Sequence, residues 1–196
     1  MRLLLTAALL VATPVTARAD IFLIPYAGMK FGGSTSVFDL EFASGAKKFT
    51  MGVAAQDIDD GILGYEVFFG YLPGYFEKET APEPVWKPGS FVIDLTGSVV
   101  LSLPPNVTAG GLRPYVAVGA GLVHAQAEDL FEILQVRRTM PVGNVGVGAI
   151  GLFTNNVGVR FDLRYLRSLT TDDGSLARVG RRISYSRLTV GLFLRL

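Results

Sequence analysis

The chain has one imidazole, His124, and no thiol. A serine–histidine site needs a hydroxyl beside the imidazole and a carboxylate to orient it. The local run His124-Ala125-Gln126-Ala127-Glu128-Asp129 offers carboxylates but no serine at the adjacent same-face position. A hydroxyl would have to come from another element, so no catalytic residue is assigned and the chain is read as a non-enzyme. Asp57, Asp59 and Asp60 cluster in a short turn-like segment, and Asp172 and Asp173 lie in a loop. Aspartates in such places are turn formers, and the ligand spacing of a calcium loop is absent. The glycines of 143–151 alternate through an apolar run and open no helix, so they do not make a phosphate-binding loop. No metal and no cofactor is expected. Without cysteine there is neither thiolate chemistry nor a disulfide staple.

What remains is a set of charges embedded in apolar surroundings: Lys30, Glu66, Asp94, Arg160, Asp162, Arg164, Arg187 and Arg195. Their meaning depends on the elements that carry them. Period-two alternation marks eight candidate strands, near 21–32, 47–56, 62–72, 90–102, 112–124, 142–153, 157–167 and 184–196. The seventh is the cleanest. Val157, Val159, Phe161, Leu163 and Tyr165 fall on one face, and Gly158, Arg160, Asp162 and Arg164 on the other. A helix would scatter those charges around its circumference. In the third, Leu63, Tyr65, Val67, Phe69 and Tyr71 oppose Gly64, Glu66, Phe68 and Gly70. In the last, Leu188, Val190, Leu192, Leu194 and Leu196 oppose Arg187, Thr189, Gly191, Phe193 and Arg195. The first, fifth and sixth carry many glycines and alanines, which leave their facing open.

The amino terminus reads as an export signal. Met1-Arg2 is followed by the apolar stretch Leu3 to Val11, then Pro14, then Ala17-Arg18-Ala19 before Asp20. Residues 1–19 are taken as a signal peptide and 20–196 as one domain. Loss of Arg2 and Arg18 moves the formal charge from +1 to −1. No concentrated basic face points to nucleic acid. Mean hydropathy is +0.40 with only 18% charged residues and 23 glycines. Yet the longest uncharged stretch after the signal, Thr139 to Val159, holds Pro141, Asn144, Asn155, Asn156 and five glycines. It would make a poor spanning helix. Apolar but never continuously so is what strands need when they show oil on one side and a polar lumen on the other.

The connections alternate. Those at 57–61, 104–111 and 154–156 are short; those near 33–46, 73–89, 125–141 and 168–183 are each about three times longer. In an up-and-down barrel this gathers the long loops at one end, with short periplasmic turns at the other. In hydrocarbon every backbone polar group must be paired inside the protein, so the sheet must close. Eight strands enclose a space that side chains fill. The embedded charges are therefore expected as a lumen plug in which Glu66, Asp94 and Asp162 pair with the cations, since a buried charge survives only when paired. Tyr26, Phe31, Phe49, Tyr65, Phe69, Tyr71, Phe91, Phe153, Tyr165 and Tyr185 are expected near strand ends as interfacial aromatics.

Several segments carry a resemblance: Ile24-Pro25-Tyr26-Ala27-Gly28-Met29-Lys30-Phe31-Gly32-Gly33, Gly64-Tyr65-Glu66-Val67-Phe68-Phe69-Gly70-Tyr71, Arg113-Pro114-Tyr115-Val116-Ala117-Val118-Gly119-Ala120-Gly121-Leu122 and Val157-Gly158-Val159-Arg160-Phe161-Asp162-Leu163-Arg164-Tyr165. Across the region after the signal, the chain resembles the outer-membrane β-barrel superfamily of opacity proteins and outer-membrane-protein-A-like domains. These are signatures of fold. They imply an all-β, closed, antiparallel transmembrane barrel in a bacterial outer membrane, among outer-membrane lipids and lipopolysaccharide, as a monomer. Two functions are expected to compete. One is a structural or surface-interaction protein that shows four external loops to a partner; the loop at 73–89, with Trp86 among prolines and mixed charges, suits such contact. The other is a narrow pore or conduit for small or hydrophobic molecules.

Overall fold

The computed structural model describes residues 21–35, 47–58, 61–75, 90–104, 108, 111–128, 135–154, 156–169 and 183–196; the expected signal peptide lies outside them. Eight strands follow one another: β1 (Ile21–Thr35), β2 (Lys48–Ile58), β3 (Leu63–Pro73), β4 (Ser90–Ser102), β5 (Leu112–Glu128), β6 (Gln135–Leu152), β7 (Val157–Ser168) and β8 (Ile183–Arg195). Each pairs antiparallel with the next, and β8 returns to β1, closing the barrel.

The register fixes the barrel's shape. One row of paired residues runs from Thr139 on β6 to His124, Ile93, Tyr71 and Met51, then to Ala27, Val190 and Phe161, and re-enters β6 at Ala149. One circuit thus slips 149 − 139 = 10 residues along β6. Ten residues of rise against eight strand spacings tilts the strands roughly 40° from the barrel axis. The ladder shifts once, between β1 and β8 at Phe31/Ser34, where Gly32 takes φ 57°. That left-handed conformation is open to glycine at little cost, and it admits the extra residue of the bulge.

Faces alternate along every strand. On β7 the outward Val157, Phe161, Leu163 and Tyr165 are 39–50% exposed, while Arg160, Asp162 and Arg164 are at most 2% exposed. Outward apolar residues run from Leu63 to Tyr71 on β3, Leu112 to Leu122 on β5 and Val157 to Tyr165 on β7. Those 8–10 residue steps cover roughly 20–25 Å along the axis at this tilt, the height of an outer-membrane barrel's apolar belt. An outside so apolar would be untenable in water.

The structure corrects the expected connections. β5 and β6 extend to Glu128 and back from Gln135, so the segment expected as a long loop at 125–141 is mostly hairpin, with only 129–134 between strand ends. The reason is a change of solvent. Above Leu122 and Pro141 the buried inward residues are Val123, Ala125 and Met140, and the outward ones are His124, Gln126, Arg137 and Thr139. The pattern inverts where the outside is wet, and a search for apolar-out strands misses it.

Candidate functional site

The lumen is filled in three layers. At the turn end, Phe22, Ile24, Tyr26, Ala54, Ile58, Phe68, Val100, Tyr115, Ala117, Ile150 and Phe193 form an apolar cluster. Phe22 stacks on Phe193 at 4.1 Å. At the loop end, Leu72, Tyr75, Val92, Val123, Ala125, Met140, Val142, Leu166, Ile183 and Tyr185 form a second cluster. The charged layer lies between them.

In that middle layer Glu66, from β3, reaches across to β7 and takes both Arg160 and Arg164, the latter at 2.6 Å. Asp162 receives the same two guanidiniums at 2.9 and 3.0 Å, so two carboxylates and two arginines form a closed ring of ion pairs. Gln56 and Tyr115 complete it: Arg160 donates to Gln56 Oε1 at 3.2 Å and to Tyr115 Oη at 2.6 Å, and Tyr115 donates to Asp162 at 2.6 Å. Asp94, on β4, accepts from Arg187 Nη1 at 2.9 Å through both oxygens and from Tyr185 Oη at 3.2 Å. Arg187 and Arg164 also lie over the Phe68 ring, at 3.8 and 4.8 Å. The planar guanidinium suits this double duty, bonding in its plane and stacking on its face.

Sequence alternation carried most of this layer. Lys30, Glu66, Asp94, Arg160, Asp162, Arg164 and Arg187 all point inward and are at most 2% exposed. Arg195 is the correction. It shares the inward parity of β8, but it is the strand's last residue and sits exposed at the turn-side rim, beyond the packed interior. Lys30 differs too: its Nζ lies 4.4 Å from the Tyr75 ring centroid, a cation–π contact in the loop-side layer. Tyr26 and Tyr185, expected among interfacial aromatics, turn inward; Tyr26 donates to the Phe69 carbonyl at 2.8 Å.

Among the inward polar residues that the sequence alternation left unassigned are Arg113, Gln56 and Asn144. Arg113 is 4% exposed at the turn end and donates to the carbonyls of Leu103 and Gly61 and to Ser102 Oγ, tying β5 to two connections. Gln56 joins the ionic layer, and Asn144 accepts from Ser98 Oγ at 3.1 Å. Arg113 and Asn144 sit on β5 and β6, whose glycines and alanines leave facing open. Arg113 was the one legible signal, since a charge fixes the side of its strand.

Three adjacent strands place Lys30, Arg187 and Arg164 side by side, with Lys48 next to Lys30 on β2. Such a row of like charges is unfavourable unless the opposite wall answers it. Glu66 and Asp94 on β3 and β4 do so for the two arginines. Glycine shapes the fit: a Cβ on Gly148 would run into the Phe161 carbonyl and the Tyr115 ring. Tyr115 therefore lies over a bare backbone on its way to Asp162.

Among the described residues, the lumen retains a cavity of about 10 Å³, lined by Ile24, Tyr26, Phe68, Arg160, Thr189 and Gly191. That is room for one water at most. The arrangement can brace the wall. Those residues also contain no cluster of three or more histidine, cysteine, aspartate or glutamate side chains suited to a metal ion. His124 pairs with Thr139 Oγ1 at 2.9 Å on the outer surface of the hairpin, away from the lumen.

A closed antiparallel wall, an oil-facing belt and a polar, paired filling together define an eight-stranded β-barrel of the outer-membrane class. Solved structures agree. Neisserial surface protein A is 16% identical, with a TM-score of 0.65 over 91% of this chain and 97% of that one. OprG of Pseudomonas aeruginosa is 13% identical, with a TM-score of 0.54 over 91% and 96%. Ail, the attachment invasion locus protein of Yersinia pestis, is 13% identical, with a TM-score of 0.51 over 90% and 97%. At these identities the likeness establishes the fold. No described protein family matches the sequence. A putative pyruvate, phosphate dikinase regulatory protein of Brucella anthropi is 30% identical over 132 residues, and the chain spans 44% of its length.

Proposed function

We propose that this chain is a non-enzymatic surface protein of the bacterial outer membrane. Its barrel is a solid anchor, and its contacts are made on the loop side. The observation that carries this reading is the filled lumen: Glu66, Asp162, Arg160 and Arg164 lock β3 to β7, with an apolar layer above and another below. A solute would have to part buried ion pairs, and each lost partner would leave a charge stranded in a poorly solvated interior. The connections expected as external loops, including the one with Trp86, lie mostly outside the described residues; with the β5–β6 hairpin they would offer the surface for a partner. The barrel acts as a monomer, because its wall closes on itself and leaves no strand edge to share.

Planar-bilayer recording of the purified, folded chain tests the reading. Silent membranes, together with a boiling-dependent shift of the gel band, are the expected result. A steady unitary conductance would overturn it in favour of a narrow pore.

A further inference from the structure

The described strands contain four prolines, Pro25, Pro73, Pro114 and Pro141. A strand residue turns its N–H and C=O toward the same neighbour, so a proline leaves one carbonyl opposite it without a donor. Three of the four stand where a ladder stops. Leu103 N–H donates to the Pro114 carbonyl and Leu169 N–H to the Pro141 carbonyl, one step past the last pairs Ser102↔Tyr115 and Val142↔Ser168. Pro73 likewise lies beyond Met51↔Tyr71, the last pair of β2 and β3.

Pro25 differs, because it lies inside the ladder that closes the barrel. Leu196 N–H donates to the Ile21 carbonyl at 3.0 Å, so Ile21, Leu23, Pro25 and Ala27 turn their backbone groups toward β8. The β1–β8 pairs stop at Leu23↔Leu194 and resume at Tyr26↔Gly191. Pro25 therefore stands opposite Leu192 and offers its carbonyl no N–H. The same ladder shifts again at Phe31/Ser34, whereas the other seven run without a break. Outside, Leu192 is 54% exposed in the belt, where hydrocarbon has no donor to give. Inside, the cavity of about 10 Å³ lies against the gap: Ile24 and Tyr26, which flank Pro25, line it together with Gly191, which precedes Leu192.

We infer that a water molecule bound in this cavity gives the Leu192 carbonyl the hydrogen bond that Pro25 cannot, and that the β1–β8 seam is thereby a hydrated hinge, the line along which the closed wall yields first. The cavity has the size of one water, and Tyr26, Thr189 and Arg160 bring polar groups to its wall. A bridging water bonds nearly as well as an N–H, but it can exchange and leave, which a backbone donor cannot. Opening the seam at Pro25 breaks one backbone bond fewer than opening any unbroken ladder over the same length. Local opening follows the cheapest such line. It would bare Gly191, whose row neighbour on β7 is Arg160, so the hinge lies against the ionic layer.

Residue-resolved hydrogen exchange of the full chain, folded into phosphatidylcholine nanodiscs, tests the hinge. The amides of Leu23, Ala27, Val190 and Leu194, which face one another across the seam, should exchange about tenfold faster than those of Val116, Val118, Val145 and Val147 in unbroken ladders, the factor that one hydrogen bond makes. Pro25→Ala supplies the missing N–H and should remove most of that difference, as should Pro25→Val. Pro73→Ala, at a ladder's end, should leave the seam as it was. Magnetisation transfer from water in the wild type should reach Gly191 and Leu192 and miss Val145 and Val147. A dry Leu192, seam amides as slow as the others, fast exchange that persists in both Pro25 variants, or an equal slowing by Pro73→Ala would overturn the hinge. Boiling-dependent gel mobility of every variant reports closure of the barrel separately.

Discussion

The two ends of the β5–β6 pair obey opposite rules. At the level of the belt, Val116, Val118, Val145 and Val147 face outward at 48–60% exposure, while Arg113 and Asn144 are buried inside. A few residues higher, Val123, Ala125 and Met140 are buried inside, and His124, Gln126, Arg137 and Thr139 face out. The hydrogen-bond ladder is continuous through both halves, from Leu112↔Gly151 to Glu128↔Gln135. Nothing in the backbone marks the crossing. The alternation therefore records which solvent touches the outer face, and the two halves of one hairpin can be told apart by substitution.

The largest effect should come from the ionic layer. Glu66→Ala removes the carboxylate shared by Arg160 and Arg164 and leaves both buried cations on Asp162 alone. A cost of about 3–5 kcal/mol is expected from such a stranded charge, measured by urea unfolding of the folded gel band. An unchanged midpoint would contradict the bracing role. Next in size is the neighbouring residue on the other face. Val67 is 55% exposed toward the belt. Val67→Arg places a charge against hydrocarbon and should cost about 2–4 kcal/mol in vesicles. Adjacent residues would then fail for opposite reasons, one for losing a charge and the other for gaining one. Gly148→Val comes third. The new Cβ meets the Phe161 backbone and displaces the Tyr115 ring, which should cost about 1–3 kcal/mol of overpacking. Gly151, a neighbouring position with only Val159 nearby, serves as its control.

Much of this was legible because charge fixes facing. Glu66, Asp94, Arg160, Asp162, Arg164 and Arg187 announced the lumen side of four strands, and their partners across the barrel are those that only closure could bring together. Where a strand is written in glycine and alanine, as around Gly119 and Gly146, one face reads like the other, and Asn144 went unassigned. Aromatic residues misled for a related reason. Tyr26 and Tyr185 are amphipathic enough for an interface, but each has a polar atom that the lumen satisfies, at the Phe69 carbonyl and at Asp94. The hairpin was hidden by its inverted pattern, and Arg195 by the rim: parity gives a direction, and depth depends on where the strand ends.

The smallest effect is the most discriminating. Thr139 lies outward on the hairpin, hydrogen-bonded to His124 across the pair, with Gln126 and Arg137 above it. If water wets this stretch, Thr139→Arg adds a solvated charge and loses one exposed hydrogen bond, a change of about 0.5 kcal/mol or less. The same side chain at Val147, eight residues further down the same strand, should cost several times more, because there the outer face meets acyl chains. Leu122→Arg, at the crossing, should fall between them. A flat response along this series would mean that the belt does not end at Leu122 and Pro141. A steep rise from Thr139 to Val147 would mark the depth of the membrane on the protein, and would do so on strands whose backbone is the same throughout.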